Sequence, residues 1–341
     1  MRIIIDAMGG DLAPAALVHG AVDAAAEFGI DVTLVGDKSA VESCLQEKHV
    51  KADGGHIRIV HTTEVVTMED EPSMAVRHKT DSSMAVGLKL LASGEGDAFV
   101  SAGSTGALLS GATLTVKRVR GIRRAALAPI IPNYGHGVLL IDCGANIDCT
   151  PEYLLQFAYM GAFYAKNIMG IENPRVAQLN IGAEACKGTP EKIEAYPLLA
   201  KASDEGRLNF IGNIEAREAM LGGTDVLVSD GFSGNIFLKT VEGTSLFLLK
   251  ELKGIFLSSF VTKLSALMLK KGIGRIRDRV DVGETGGTIM LGLRKTVVKA
   301  HGSSNARAVR SAIKQAIGFV KADVIGEIEQ NIAYMKLDNE A

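Results

Sequence analysis

Hydrophobic positions along the chain alternate between two spacings. Short apolar or β-branched runs, "RIIID", "DVTLVGD", "HIRIVH", "DAFVSAG", "GVLLIDCG", "RVAQLNIG", "LNFIGNI" and "DVLVSDG", predict strands. Stretches with helical periodicity separate most of them. Several runs are hydrophobic throughout, as strands are when helices cover both sheet faces, so a largely parallel, three-layer α/β/α architecture is predicted. No Pro-rich linker, low-complexity tract or fixed repeat interrupts the 341 residues, which predicts a single α/β unit over 1–341.

One stretch departs from this rhythm. Residues 244–271, "TSLFLLKELKGIFLSSFVTKLSALMLKK", predict long helix bent at Gly254, with Leu249, Leu252, Phe256, Phe260 and Leu264 at spacings of three and four. One reading is a core or dimer-interface helix. The other is membrane contact: Ile255, Phe256, Leu257 and Phe260 lie in an uncharged segment flanked by Lys253 and Lys263, a pattern suited to shallow insertion into an anionic bilayer surface. Both hold if helices pair at their bases and expose apolar tips.

Composition narrows the function classes. With 47% hydrophobic and 22% charged residues the chain can bury a large core, and a formal net charge of -2 gives no overall drive toward nucleic acid. Cys44, Cys143, Cys149 and Cys186 form no CxxC pair and the histidines no HExxH, so no metal site is predicted and reduced thiols in a cytosolic protein are expected. The opening "MRIIIDAMGGD" is too short an apolar run for a signal peptide. The longest charge-free run, residues 98–116, is crowded with Gly, Ser and Thr and reads as strand, loop and helix.

Candidate chemistry sits where predicted strands end. Ser104, Thr105 and Gly106 follow "AFV"; Asn146 follows "LLI"; Asp230, Ser233, Gly234 and Asn235 follow "LVS"; His301, Gly302 and Ser303 follow "VVKA". In open parallel sheets ligands bind beyond the carboxyl ends of the strands, where backbone N–H groups and helix N-termini can meet an anion. Any one such loop is also an ordinary tight turn. Neither GxxxxGK[ST] nor GxGxxG is present, so ATP and dinucleotide binding lose their main support. Asp6 and Asp11 read equally as a carboxylate pair or as helix capping. "NIGAEACKG" adds Glu184 and Lys187, a cation able to hold an anion or simply to pair at the surface; "GNIEAR" adds Asn213. Cys186 has no histidine close in sequence to activate it.

Taken in order, "IDAMGGD", "SAGSTGA", "IDCGAN", "NIGAEACKG", "GNIEAR", "VSDGFSGNIFLKTVEG" and "KAHGSS" resemble the phosphate acyltransferase family of bacterial phospholipid synthesis, from Ile5 to Ser304. Residues 284–302 depart from the family pattern, which has an aromatic near Thr285 and a proline near Met290. The resemblance implies an isocitrate/isopropylmalate dehydrogenase-like fold related to phosphotransacetylase. It implies transfer of a long fatty acyl chain from acyl carrier protein to inorganic phosphate, giving an acyl phosphate that a membrane glycerol-3-phosphate acyltransferase consumes. It further implies a homodimer peripherally attached to the inner face of the cell membrane, with no nicotinamide cofactor and no obligatory metal. Short-chain phosphotransacetylase acting on coenzyme A and a non-enzymatic lipid-binding scaffold are the alternatives.

Phosphate is already anionic at neutral pH and needs placement more than deprotonation. On that basis Lys187, Ser104, Thr105 and the N–H groups around Gly234 and Gly302 are expected to hold phosphate and the tetrahedral oxyanion. His301 is the expected acid for the leaving thiolate, and Asn146, Asn213 and Asn235 are expected to orient phosphate and the thioester carbonyl. The basic group Lys117, Arg118, Arg120, Arg123 and Arg124 is a candidate docking surface for the acidic carrier protein.

Overall fold

A computed structural model of the chain describes residues 1–52, 56–280 and 287–337; Thr285 lies outside the described residues. Two sheets meet near Pro129. The first holds β1 (Arg2–Asp6), β2 (Asp31–Gly36), β3 (Ile57–His61), β4 (Ala98–Ser101) and β5 (Ala126–Ala128). The second holds β6 (Ile130–Ile131), β7 (Val138–Ile141), β8 (Arg175–Leu179), β9 (Asn209–Ile214) and β10 (Val226–Val228). The chain then returns to the first with β11 (Thr288–Leu291) and β12 (Thr296–Lys299). Strand orders are β3-β2-β1-β4-β12-β11-β5 and β6-β7-β10-β8-β9. Pairing is parallel except where β11 meets β12 and β5, and where β6 meets β7.

Helices cover both faces. In the first half these are α1 (Ala15–Phe28), α2 (Lys38–Glu47), α3 (Ala75–His78), α4 (Ser83–Ala92) and α5 (Thr105–Thr115). Then come α6 (Pro151–Asn167), α7 (Pro190–Asp204), α8 (Ala216–Met220), α9 (Gly231–Leu257) and α10 (Phe260–Val280). The last are α11 (Ala306–Lys321) and α12 (Val324–Gln330). The period-2 geometry of strands explains the layers. Ile3 and Ile5 of β1 share one core with α1, α6 and α11, whereas Ile4 shares the other with α4 and α5. Val226 and Val228 of β10 likewise join the first core and Leu227 the second, so each core runs continuously along both sheets. All three isoleucines of β1 are fully buried, which is why that run carries no polar alternation.

The long helical stretch is a hairpin. Its break falls at Ser258 and Ser259 rather than at Gly254, which lies inside α9. The Ser259 hydroxyl accepts the Thr262 N–H at 3.2 Å, and small side-chain hydroxyls at that position compete effectively with helix continuation. Phe237, Leu238 and Val241 bury the base of α9 in the second core. Beyond it Leu246, Phe247, Ile255, Leu257 and Phe260 are exposed, Phe260 by 82%, while Phe256 is half-buried. No helix among the described residues is long and apolar enough to cross a membrane.

Candidate active site

The carboxyl ends of the two sheets border a shared cleft of about 290 Å³. From the first sheet it is lined by Thr105 at the start of α5, by Leu127 and Pro129, by Gly287 and Thr288, and by Lys299, Ala300 and His301 at the end of β12. From the second it is lined by Cys143 and Gly144 after β7 and by Asn235, Leu238, Lys239 and Glu242 along the base of α9.

The seven-stranded rim is assembled by three neighbouring loops. Asp11 donates its N–H to the Gly302 carbonyl at 2.8 Å, tying the loop after β1 to that after β12. Asp6, buried beneath them, accepts hydrogen bonds from the Ser83 and Ser101 hydroxyls, both at 2.6 Å. Burial raises its carboxyl above the usual range, against the pull of those hydroxyls and of the Met8 and Gly9 N–H groups. Lys299 reaches over the same region, donating to the Ala102 carbonyl at 3.2 Å and to that of Ala300. Desolvation lowers its ammonium to about 8, although Asp6 and Asp11 favour the charge. Ser104 caps α5 by accepting the Ala107 N–H at 3.5 Å, and Gly106 packs on Pro72, leaving Thr105 to face the cleft. The N–H groups of Thr105 and Gly106 have no acceptor within their own helix. His301 Nδ1 lies 2.9 Å from the Ser303 hydroxyl, which orients the ring at the mouth.

On the five-stranded rim most polar groups answer one another. Asp142 is buried and accepts the N–H groups of Leu127, Cys143, Ala145 and Asn146 and the Asn146 side-chain amide. Burial nevertheless raises its carboxyl to about 6, with those donors opposing. Asn146 also donates to the Ala125 carbonyl at 2.9 Å, so its amide holds the loop and the junction of the sheets. Asp230 caps α9 by accepting the Ser233 N–H at 2.7 Å and pairs with the buried Lys192 at 3.1 Å. Burial alone would raise the Asp230 carboxyl, but the Ser233 N–H and Lys192 hold it below its ordinary value.

Several expected ligand contacts are therefore occupied by the protein itself. The Gly234 N–H is bonded to the Asp230 carbonyl at 3.0 Å, and its missing side chain serves packing: a Cβ there would lie 2.0 Å from the Asp142 carbonyl oxygen. Around Gly302, the Ser303 N–H is bonded to His301 Nδ1 at 3.3 Å and the Ser304 N–H to the His301 carbonyl at 3.0 Å. Asn213 donates to the Glu184 carbonyl at 2.9 Å and accepts from Gln178 at 2.9 Å, steadying the loop after β8 from below. That loop carries Glu184 and Lys187, both exposed and neither in the cleft wall. Lys187 also supplies its carbonyl to the Asn180 side chain.

The structure thus brings Thr105, Asn235 and His301 together, and adds Lys239, Glu242 and Lys299, which the sequence reading missed. Lys239 and Glu242 pair at 2.7 Å across one helical turn. The signal for Lys299 was a single cation ending the apolar run "TVVK" immediately before "AHGSS". Burial first, then the charge of Asp142, push the Cys143 thiol well above the ordinary range, which disfavours the thiolate that a cysteine nucleophile needs. Among the described residues no cluster of His, Cys, Asp and Glu side chains is placed to hold a metal ion.

The sequence and fold have clear relatives. A family model described as "Fatty acid synthesis protein" matches residues 1–327. The phosphate acyltransferase of Clostridioides difficile is 44% identical over 340 residues, 99% of this chain and 98% of that one. That of Thermoanaerobacterium thermosaccharolyticum is 44% identical over 332 residues, covering 97% of each chain. The crystal structure of a phosphotransacetylase from Streptococcus pyogenes shares the fold, with a TM-score of 0.62 at 20% identity over 96% of this chain and 94% of that one. With a family model spanning nearly the whole chain and relatives this similar over their full length, the protein belongs to the phosphate acyltransferase family of fatty acid synthesis enzymes.

Proposed function

We propose that this protein transfers a long-chain fatty acyl group from acyl carrier protein to inorganic phosphate, giving an acyl phosphate for phospholipid synthesis. The observation that carries the reading is the cleft itself. Lys239, Lys299, His301 and Thr105 line it, while burial pushes the thiol of Cys143, also in its wall, well above the ordinary range. Such a site suits an anionic nucleophile brought in from solution, not one built into the protein.

In this reaction an oxygen of hydrogen phosphate attacks the thioester carbonyl carbon. A C–O bond forms, the C–S bond breaks, and sulfur leaves with the bonding pair. The proton of hydrogen phosphate ends on the thiol, with His301 at the mouth as its relay. The cations and the free N–H groups of Thr105 and Gly106 offset the charge that gathers on the carbonyl oxygen. Asn235, projecting from α9, orients the thioester, and Lys187 on the neighbouring rim meets the donor. Asn146, Asn213, Asp230, Ser233 and Ser303 act by holding the loops and the His301 ring in place.

The carrier protein docks, in this reading, at the basic group before β5. Lys117, Arg120 and Arg124 are exposed there, whereas Arg123 pairs with Glu152 at 3.1 Å. Leu127 in the cleft wall is three residues beyond Arg124, about 10 Å of extended chain. The exposed apolar hairpin is read as both dimer contact and membrane contact, so the enzyme works at the inner membrane surface and passes its product to a membrane glycerol-3-phosphate acyltransferase. Changing Leu257 and Phe260 together to Ser should release the protein from anionic vesicles with activity on soluble donor retained. Undiminished vesicle binding would confine those residues to protein contacts.

Mass spectrometry of mixtures with and without phosphate tests the reaction. Acyl phosphate should form from long-chain acyl carrier protein only when phosphate is present. Equal turnover of acetyl coenzyme A with no reaction of the acyl carrier protein would assign a short-chain phosphotransacetylase instead. The absence of any phosphate-dependent thioester cleavage would leave a lipid-binding scaffold.

A further inference from the structure

The cleft holds three cationic or protonatable nitrogen side chains, and their surroundings differ. Lys239 is exposed and is paired with Glu242 at 2.7 Å. His301 is exposed at the mouth with Nδ1 against Ser303. Lys299 alone of the three is half-buried, in the cleft wall at the end of a strand whose preceding residues, Val297 and Val298, are fully buried. Its ammonium has three N–H donors, and the hydrogen bonds among the described residues use two of them, both on main-chain carbonyls. No carboxylate among the described residues forms an ion pair with it.

A desolvated ammonium without an ion-pair partner is costly to keep, and such groups recur where a ligand supplies the missing charge. Here the two carbonyls fix the nitrogen at the junction of the loops after β4 and β12. Thr105 faces the same cavity from the start of α5, and His301 from the loop after β12. A single small anion seated there would meet the third N–H of Lys299 and the start of α5. Across the cavity Glu242 is taken up by Lys239 and so repels the anion less than a free carboxylate would.

We propose that Lys299 is the residue that binds the acceptor phosphate, seating a tetrahedral oxyanion between the end of β12 and the start of α5, while Lys187 takes no part in holding it. This inference rests on phosphate being the acceptor, and it can be tested without turnover. The groups facing Lys299 are Asp6 at the end of β1, Asp11 from the loop that follows, Lys239 and Glu242 from α9, and His301 from its own loop.

Isothermal titration with sulfate and with phosphate, on the full chain, reads the site directly. Wild type should bind both anions competitively. Sulfate affinity should fall above pH about 8, where the unliganded ammonium loses its proton, by up to about tenfold per pH unit. Lys299→Met and Lys299→Gln should each weaken both anions by about tenfold to a hundredfold, the scale of one charged hydrogen bond, and should lose the break near pH 8. Lys187→Met should bind both as wild type does. In turnover, the Lys299 variants should raise KM for phosphate far more than KM for the acyl donor.

A folded Lys299 variant that binds sulfate and phosphate with wild-type affinity would overturn the proposal, as would a wild type that binds neither. A loss that follows Lys187→Met instead would also overturn it. If neither Lys299 variant folds, the wild-type pH profile decides, since an affinity flat through pH 7 to 10 contradicts the role. Anion binding as expected in a protein that cleaves no thioester would leave the Lys299 site standing and refute the acyl-transfer reading alone.

Discussion

The two rims of the cleft are built from the same materials and do opposite things. Both consist of loops after parallel strands, both contain a buried aspartate, and both are rich in Gly, Ser and Asn. On the five-stranded rim Asp142 takes up five N–H donors, and Asn146, Asn180 and Asn213 each brace a neighbouring segment. On the seven-stranded rim Asp6 is likewise satisfied, but above it Lys299 retains an unused donor and Thr105 and His301 face open space. Small polar residues at a strand end therefore mark a place where loops must be held. Whether the same place binds a ligand depends on what remains unsatisfied after the loops are held.

The sharpest way to break this comparison is to remove the unsatisfied cation. Lys299→Met should lower kcat/KM for phosphate by about a hundredfold to a thousandfold, the range for losing one preorganised electrostatic partner. It should do so without loss of stability near neutral pH. The folded ammonium sits at about 8, below its unfolded value, so the unfolded chain binds more protons between the two. The penalty is complete below pH about 8 and fades as pH rises toward the unfolded value, around 10.4. Denaturant titrations at pH 7 and pH 10 should therefore show the variant's relative advantage shrinking with pH. A variant equally destabilised at both would make Lys299 a structural residue.

Next in size is the opposing rim. Gly234→Ala forces a methyl against the Asp142 carbonyl, 2.0 Å away, and the facing atom is backbone that cannot swing aside. A loss of about 3 kcal/mol is expected, at the upper end of overpacking costs. Urea unfolding measures it, and a loss below about 0.5 kcal/mol would show that α9 can shift and that the five-stranded rim is no rigid scaffold. The smallest effect belongs to His301→Asn. A thiolate leaves readily, so turnover should drop only about tenfold, below the usual range for general acid–base groups, with KM for phosphate little changed. A thousandfold loss would make proton delivery the main task of the seven-stranded rim.

Much of the fold was legible because buried strands announce themselves. "RIIID", "GVLLIDCG" and "DVLVSDG" all became central strands, and their uniform apolarity reflects burial on both faces. The division into two sheets was not legible. It depends on β5 and β6, with three and two residues, whose "ALAPII" carries no periodicity. The hairpin was legible as helix, but its turn was assigned to Gly254 because glycine is the stronger helix breaker in general, whereas the observed turn uses the serine pair's hydroxyls.

The geometry of the cleft was legible only in part, for a related reason. Sequence shows which residues are polar but not which polar groups have already found partners. Lys187 stood out because it lies in a loop among small residues, and it proves exposed; Lys299 was hidden at the end of an apolar strand, and that burial is what sets it apart. Gly234 and Asn146 followed the expected pattern of a binding loop, and in the structure Gly234 packs the base of α9 on the loop after β7 while the Asn146 amide ties that loop to Ala125.

The central claim is that phosphate held on the seven-stranded rim attacks the thioester itself and that no protein group carries the acyl chain in between. Intact-protein mass spectrometry of the enzyme mixed with long-chain acyl carrier protein in phosphate-free buffer tests this most directly. The account predicts an unmodified protein mass, with acyl phosphate appearing only once phosphate is added. An enzyme heavier by one acyl chain, with the adduct on Cys143 or any other residue and discharged by phosphate, would contradict it.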